Sequence, residues 1–331
     1  MMSLETKSVV RCLQFSQFPA SSNLLALGVR SGVAVKSCTL PAVQKPGGQG
    51  GSLVDNLQLE DVVTIKTDSS ASDVRQTALA WSPLADGRDG ETAIRLTCAS
   101  SDFKIQYINS DHEGTTATLI GCHKSYINSL AAHPTNAALV ASGGDDRCCV
   151  LWDLEAGKVV SRLQLKHPCV EVAWHPQEPM KLLVADKSRG IHFYDMNTQV
   201  PIMTLDITSH THQQLTPPLL SVDWLPSNYL LIGGVANGHW AIWDVSQSRY
   251  PLEVKSAHNG PATAFRWCSA GEQMFATIGN HGNEVKVHHL GHQKVPISTN
   301  LPGVGGISWH ATLPLLAASS HRSVRFWGLE L

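Results

Sequence analysis

Short segments in which apolar and polar residues alternate recur along the whole chain, and several of them close on a tryptophan. "ALAWSP" carries Trp81, "EVAWHP" Trp174, "SVDWLP" Trp224, "AFRWCS" Trp267 and "GISWHA" Trp309. "SLAAHP" around Ala132 divides the widest gap in this ladder, and "CLQFSQ" around Phe15 supplies an earlier member, which makes seven copies. Alternation with a period of two puts one face of each segment on a core and the other on solvent, the pattern of a half-buried β-strand.

A second ladder runs through the same units. Tyr107, Trp152, Tyr194, Trp243, His288 and Trp327 end short β-type runs, and "VAVKSC" at 33–38 stands as the first member. Small-residue segments such as "LVASGG", "LLIGGVA" and "LLAASS" lie between the two ladders, and helical periodicity is almost absent. Each unit therefore reads strand, turn, strand, turn, strand, loop, strand. A step of roughly 40–45 residues with four short strands per unit is the pattern of a β-propeller, one blade per repeat. The expected fold is all-β, a seven-bladed propeller over 1–331. Length alone would suggest two domains; the repeat predicts one. The Pro-, Gly- and Gln-rich stretch at 41–60 is expected to be a disordered loop insertion within it, and "NSDHEGTT" and "SHTHQQLTPP" are expected to be rim loops.

Composition then narrows the function classes. Hydrophobic residues make up 43% and charged residues 16% of the 331, a globular rather than a disordered balance. The net charge of −2 provides no field of one sign for nucleic acid or acidic membranes, which leaves room only for a local basic patch, for example around "SHRSVRF". The eight cysteines include no CxxC pair, which fits buried, reduced thiols in a cytosolic or nuclear setting. The N-terminal "MMSLETKSVV" has no signal-peptide pattern, and no segment approaches the roughly 20 apolar residues of a membrane helix.

Three places invite a chemical reading. Asp145 and Asp146 stand just before "CCVLWD", and an Asp paired with His123 could do acid–base work. No nucleophile or metal set accompanies them, so an architectural role is expected. "VHHLGH" offers His288, His289 and His292, with His281 nearby. Adjacent strand residues face opposite sides, however, and zinc needs three or four converging ligands. "HTH" at 210–212 falls in a Pro/Gln-rich loop. "PGGQGG" lacks the Lys-Ser/Thr of a phosphate-binding loop, and there is no GxSxG, HExxH or kinase set. The expectation is no enzyme, no cofactor, no metal and no small-molecule substrate.

The stretch from "GCHKSYIN" to "LVASGGDDRCCVLWD" resembles a WD repeat. That resemblance implies that His123, Ser142, Asp146 and Trp152 form a hydrogen-bonded structural tetrad. It also implies that the tetrad is complete in this repeat only. His321 and Asn237 occupy the Asp position in the last and fifth repeats, and Tyr194 ends the fourth, so the other blades would rely on apolar packing. Cys122 separates Gly121 from His123 where WD repeats read Gly-His.

Longer blocks go further. "KSYINSLAAHP", "VAWHPQEPMKLLVADKSRGIHFYD", "AIWDVSQSRYP", "VHHLGHQKVPI" and "ISWHATLPLL" resemble, in the same order and over nearly the whole chain, the thirty-seven-kilodalton WD-repeat nucleoporin family. The resemblance implies a non-enzymatic scaffold at the nuclear envelope, in the Y-shaped outer-ring complex of the nuclear pore. There it would dock onto a large nucleoporin built of a propeller followed by helices, and through it reach other outer-ring subunits. It would have no direct nucleic-acid contact and no membrane insertion. The competing class is a soluble propeller that reads a short peptide, such as a histone tail or a degradation substrate, in its central opening. Tyr126 and Tyr250 are candidate partner anchors. The segment Ser3–Lys7 is expected to pair beside the last blade and close its sheet edge.

Overall fold

The computed structural model describes residues 1–30, 32–39, 54, 56–66, 74–84, 93–111, 114–188, 190–206, 218–271, 273–279, 283–291 and 297–329. Among these, seven four-stranded antiparallel sheets follow one another along the chain as the blades of a propeller. Blade 1 is Cys12–Phe15, Leu24–Val29, Gly32–Thr39 and Gln58–Lys66; blade 2 runs from Gln76–Trp81 to Gly114–Cys122. Blade 3 is Ile127–Ala132, Leu139–Gly144, Cys148–Asp153 and Lys158–Gln164. Blades 4 and 5 start at Cys169–Trp174 and Leu219–Trp224 and end at Val200–Asp206 and Glu253–Ser256. Blade 6 is Ala262–Trp267, Met274–Gly279, Glu284–His289 and Ile297–Asn300.

Blade 7 contains only three consecutive strands, Val304–Trp309, Leu315–Ser320 and Ser323–Gly328. Its outer strand is Met2–Glu5 from the other end of the chain, with Met2 opposite Phe326 and Glu5 opposite Ser323. The pairing strand thus starts one residue earlier than expected from sequence, and Thr6 and Lys7 lie beyond it. Two backbone bonds extend the seam, Thr6 N–H to the Arg322 carbonyl (2.7 Å) and Val10 N–H to the His321 carbonyl (2.8 Å).

Every member of the first ladder is the last residue of an inner strand, the one next to the central opening. The indoles there do more than fill space. Trp81, Trp174, Trp267 and Trp309 each donate Nε1–H to an inner-strand carbonyl of the preceding blade: Gln14 (2.9 Å), Ala131 (3.0 Å), Asp223 (3.1 Å) and Arg266 (3.0 Å). Phe15 cannot donate in this way. Its own N–H binds Ser308 Oγ (2.9 Å), and the Gln17 side chain reaches the Trp309 carbonyl (2.9 Å), so blade 1 is tied to blade 7 by other groups.

The second and third strands are buried on both faces, which explains their small, apolar residues. One face of blade 3 packs Ala141, Cys149 and Leu151 against Leu182 and Val184 of blade 4. The other packs Val140, Val150 and Trp152 against Ala99 and Ile105 of blade 2. No helix of the described residues is long and apolar enough to cross a membrane. All eight cysteines are free thiols; Cys122 is exposed rather than buried, at the end of the outer strand of blade 2.

Most of 41–60 lies outside the described residues, and its C-terminal part differs from expectation. Gln58 pairs with Thr39 and opens the outer strand of blade 1, while Val54 and Leu57 are buried against Cys38 and Leu25. The alternation in "LQLEDVVTI" already marks a strand edge there; the neighbouring Gly/Pro content masked it.

Candidate functional site

The stretch around Asp145 and Asp146 is a turn between the second and third strands of blade 3. Trp152 Nε1–H donates to Ser142 Oγ (2.7 Å), and Ser142 Oγ lies 2.7 Å from His123 Nε2. His123 Nδ1 lies 3.0 Å from both oxygens of Asp146. An indole only donates, so one direction fits the chain: Trp152 to Ser142, Ser142 to His123, His123 to Asp146. Asp146 also accepts the N–H groups of Lys124 (3.0 Å) and Cys148 (3.2 Å). Burial works against its charge, but these amides and the imidazole outweigh burial and hold the carboxyl below the usual range. Gly144 is required beside them, because a Cβ there would sit 2.8 Å from the Tyr126 carbonyl and 3.1 Å from His123 Nδ1.

This arrangement is closed to substrate. The side chains of His123 and Asp146 are 0% and 5% exposed. Asp145 points elsewhere: it binds Lys187 Nζ of blade 4 (2.7 Å) and Asn128 Nδ2 (2.8 Å), joining two blades.

The resemblance implied that only this repeat carries a complete relay, and the structure corrects that for blade 6. His258 Nδ1 lies 3.1 Å from Glu284 Oε2, and His258 Nε2 lies 2.9 Å from Thr277 Oγ1. Thr277 Oγ1 in turn lies 3.0 Å from His288 Nε2. The register matches blade 3. Thr277 is the fourth residue of its strand, as Ser142 is, and His288 the fifth of its strand, as Trp152 is. His288 with its Nε2 protonated donates as an indole does. Burial pushes His288 down to about 3, so it stays neutral, and it stacks on Phe275 at 5.0 Å. His288 is therefore a relay member, not an idle strand-end histidine. His281 and His292 lie outside the described residues, as do His210 and His212. Among the described residues no group of three or more His, Cys, Asp or Glu is placed to hold a metal ion.

Thr277→Val keeps the shape but removes the shared hydroxyl, leaving two ring nitrogens without partners. The expected cost is about 1–2 kcal/mol in denaturant unfolding, with Thr277→Ser close to the parent. Equal stability of the Val variant would sink this relay.

Sequence reasoning did not anticipate the lining of the central opening, a cavity of about 780 Å³. Arg266 Nη1 of blade 6 binds Glu171 Oε2 of blade 4 (3.0 Å) and Ser221 Oγ of blade 5 (2.8 Å). Ser129 of blade 3 donates to Glu171 Oε1 (2.7 Å), so one network joins four consecutive blades. Charged residues inside otherwise apolar inner strands ("EVAW", "VDW", "FRW") were the available signal. Asp223 Oδ2 accepts the Trp267 N–H (2.8 Å). Burial pushes its carboxyl up to about 7, against the pull of Arg266 and the Trp267 amide.

A carboxyl raised by folding adds stability below its unfolded pKa, and this is lost as pH rises through the folded value. The window here is roughly pH 4 to 7. Asp223→Asn should therefore be more stable than the parent at pH 8, by on the order of 1 kcal/mol, with the advantage vanishing or reversing by pH 5. A difference independent of pH in calorimetric melts would show that Asp223 does not titrate in this window.

The two anchor candidates lie in different connections: Tyr126 just before the inner strand of blade 3, Tyr250 between the third and fourth strands of blade 5. Tyr126 is 50% exposed and edge-on to Phe103 at 5.0 Å. Tyr250 is half-buried, with its hydroxyl 2.7 Å from Arg249 Nη2.

A WD domain, G-beta repeat, matches residues 114–153, the unit that contains the blade 3 relay. The chain is 33% identical to Nucleoporin Nup37 of Mus musculus over 335 residues, covering 99% of this chain and 96% of the relative. The chain belongs to the Nup37 family of nucleoporins. Nucleoporin Nup37 of Homo sapiens is 32% identical with the same coverage, and that of Drosophila melanogaster 25% identical over 99% of this chain and 97% of the relative. Membership makes the chain a nucleoporin of the nuclear pore complex, with a scaffold role, in a family of propellers that is typically non-catalytic.

Proposed function

We propose that this chain is a non-enzymatic scaffold subunit of the outer-ring, Y-shaped complex of the nuclear pore. It docks onto a large nucleoporin built of a propeller followed by helices and supports pore assembly and nucleocytoplasmic transport. The observation that carries this reading is the end-to-end similarity to Nup37 relatives. The ring itself is suited to the task. Its blades are joined by indole-to-carbonyl bonds, by the Asp145–Lys187 pair and by the channel network, so a partner meets a preorganised surface.

The peptide-reader reading looks to the central cavity. There Glu171 and Arg266 are spent on each other and on serine hydroxyls, which leaves less for an incoming peptide. Affinity purification of the tagged chain from cells, followed by quantification of stoichiometric partners, separates the two. Recovery of outer-ring nucleoporins is expected; recovery of histones or ubiquitin-ligase subunits in their place would overturn the scaffold assignment.

A further inference from the structure

Within each blade the four strands alternate in direction, so the turns after second strands and the loops leading to the next blade share one rim of the ring. Backbone bonds knit that rim together: Asp145 N–H to the Tyr126 carbonyl (2.8 Å) and Leu165 N–H to the Arg147 carbonyl (2.8 Å) are examples. The rim is basic. Arg11, Lys66, Lys124, Arg147, Lys166 and Arg322 are exposed, and among the described residues none of them enters a salt bridge. Of the described acids at this rim, Asp146 is engaged in the relay, Asp145 on Lys187, Asp102 on Lys104, Asp186 on His192 and Glu284 on His258 and Lys286, while Glu5 is exposed.

The opposite rim has the reverse character. Asp153, Asp195 and Asp244 open the outer turns of blades 3, 4 and 5, and each caps its own turn amides. These are the aspartates that follow the second-ladder aromatics, so the repeat itself places negative charge on that side. The net charge of −2 conceals a division, among the described residues, between exposed cations on one rim and turn-capping aspartates on the other.

We propose that the basic rim, centred on Lys124, Tyr126 and Arg147, docks an acidic segment of a partner protein. This deepens the scaffold reading and rests on it for the identity of the partner. Tyr126 supplies a rigid aromatic surface between cations, the combination that dominates protein interfaces. Charge complementarity selects the acidic chemistry. The near-zero net charge and the acidic far rim weaken long-range attraction of a polynucleotide, whereas the same asymmetry orients a protein as it approaches.

The test uses the full chain, a rim variant (Lys124→Glu, Arg147→Glu, Lys166→Glu) and a control with the same charge change on outer strands (Lys158→Glu, Arg162→Glu, Lys255→Glu). Melting curves verify that both variants fold. Fluorescence anisotropy measures binding of a labelled polyglutamate peptide and of single-stranded DNA of equal formal charge. The rim variant should bind polyglutamate about tenfold or more weakly, the control within about twofold of the parent, and DNA no tighter than the peptide. Absence of peptide binding, equal loss in both variants, or tighter binding of DNA would overturn the proposal.

Purification from cells forms the second arm, with the rim variant losing outer-ring nucleoporins that the control retains. Retention by the rim variant overturns the docking surface and leaves the scaffold reading standing. If the unaltered chain recovers no nucleoporins, the scaffold reading fails, and the polyglutamate arm alone decides whether the rim binds acidic chains.

Discussion

Removal of residues 1–8 should lower the melting temperature by about 5 °C and make the protein self-associate. Among the described residues, Met2–Glu5 is the only strand that covers the outer edge of the third strand of blade 7, along Ser323–Phe326. Its loss removes that ladder and the Thr6-to-Arg322 bond, and it uncovers the cluster of Leu315, Val324 and Phe326 against which Met2 and Leu4 pack. The strand left behind carries unpaired amides and carbonyls, a template for edge-to-edge association. Calorimetry and size-exclusion chromatography at several concentrations read both effects. An unchanged melting curve would refute closure by this strand.

The second large effect is expected for Asp146→Ala, a loss of about 1–3 kcal/mol in stability with partner identity unchanged. The carboxylate accepts from His123, Lys124 N–H and Cys148 N–H, and alanine leaves all three without it. His123, fully buried, has no water to turn to. Asp146→Asn should recover part of the loss, because one amide oxygen still accepts. The pH profile gives a further check. Asp146 is held below its ordinary range, so its contribution is present above the unfolded carboxylate pKa and is lost as pH falls through the lower folded value. The gap between parent and Ala variant should therefore narrow only in strong acid. A fully stable variant that loses its partner would instead place the acids on a binding face.

Where sequence reasoning succeeded and where it stopped follows from particular residues. Trp81, Trp174, Trp224, Trp267 and Trp309 mark inner strands because burial beside the central opening demands a large apolar side chain at a fixed step. The tetrad of His123, Ser142, Asp146 and Trp152 was visible because each member carries its usual letter. The blade 6 relay was hidden because Thr277 stands for Ser and His288 for Trp, and the carboxylate comes from Glu284, two residues further along in register than Asp146. The offset of His258 before its inner strand equals that of His123, and this was the signal available. The Glu171–Arg266 pair was beyond reach, since its two residues belong to blades that are not adjacent in the chain.

The sequence by itself determined the number of blades, the order of strands and the family. Those properties rest on local alternation and on a repeat step, and both are written in linear order. Only the tertiary structure decided that blade 6 has a relay of its own, that a charged network spans four blades across the opening, and that exposed cations and turn-capping aspartates divide between the two rims. These depend on distances between groups far apart in the chain. A hydrogen bond selects a donor and an acceptor at about 3 Å, whatever residue types supply them.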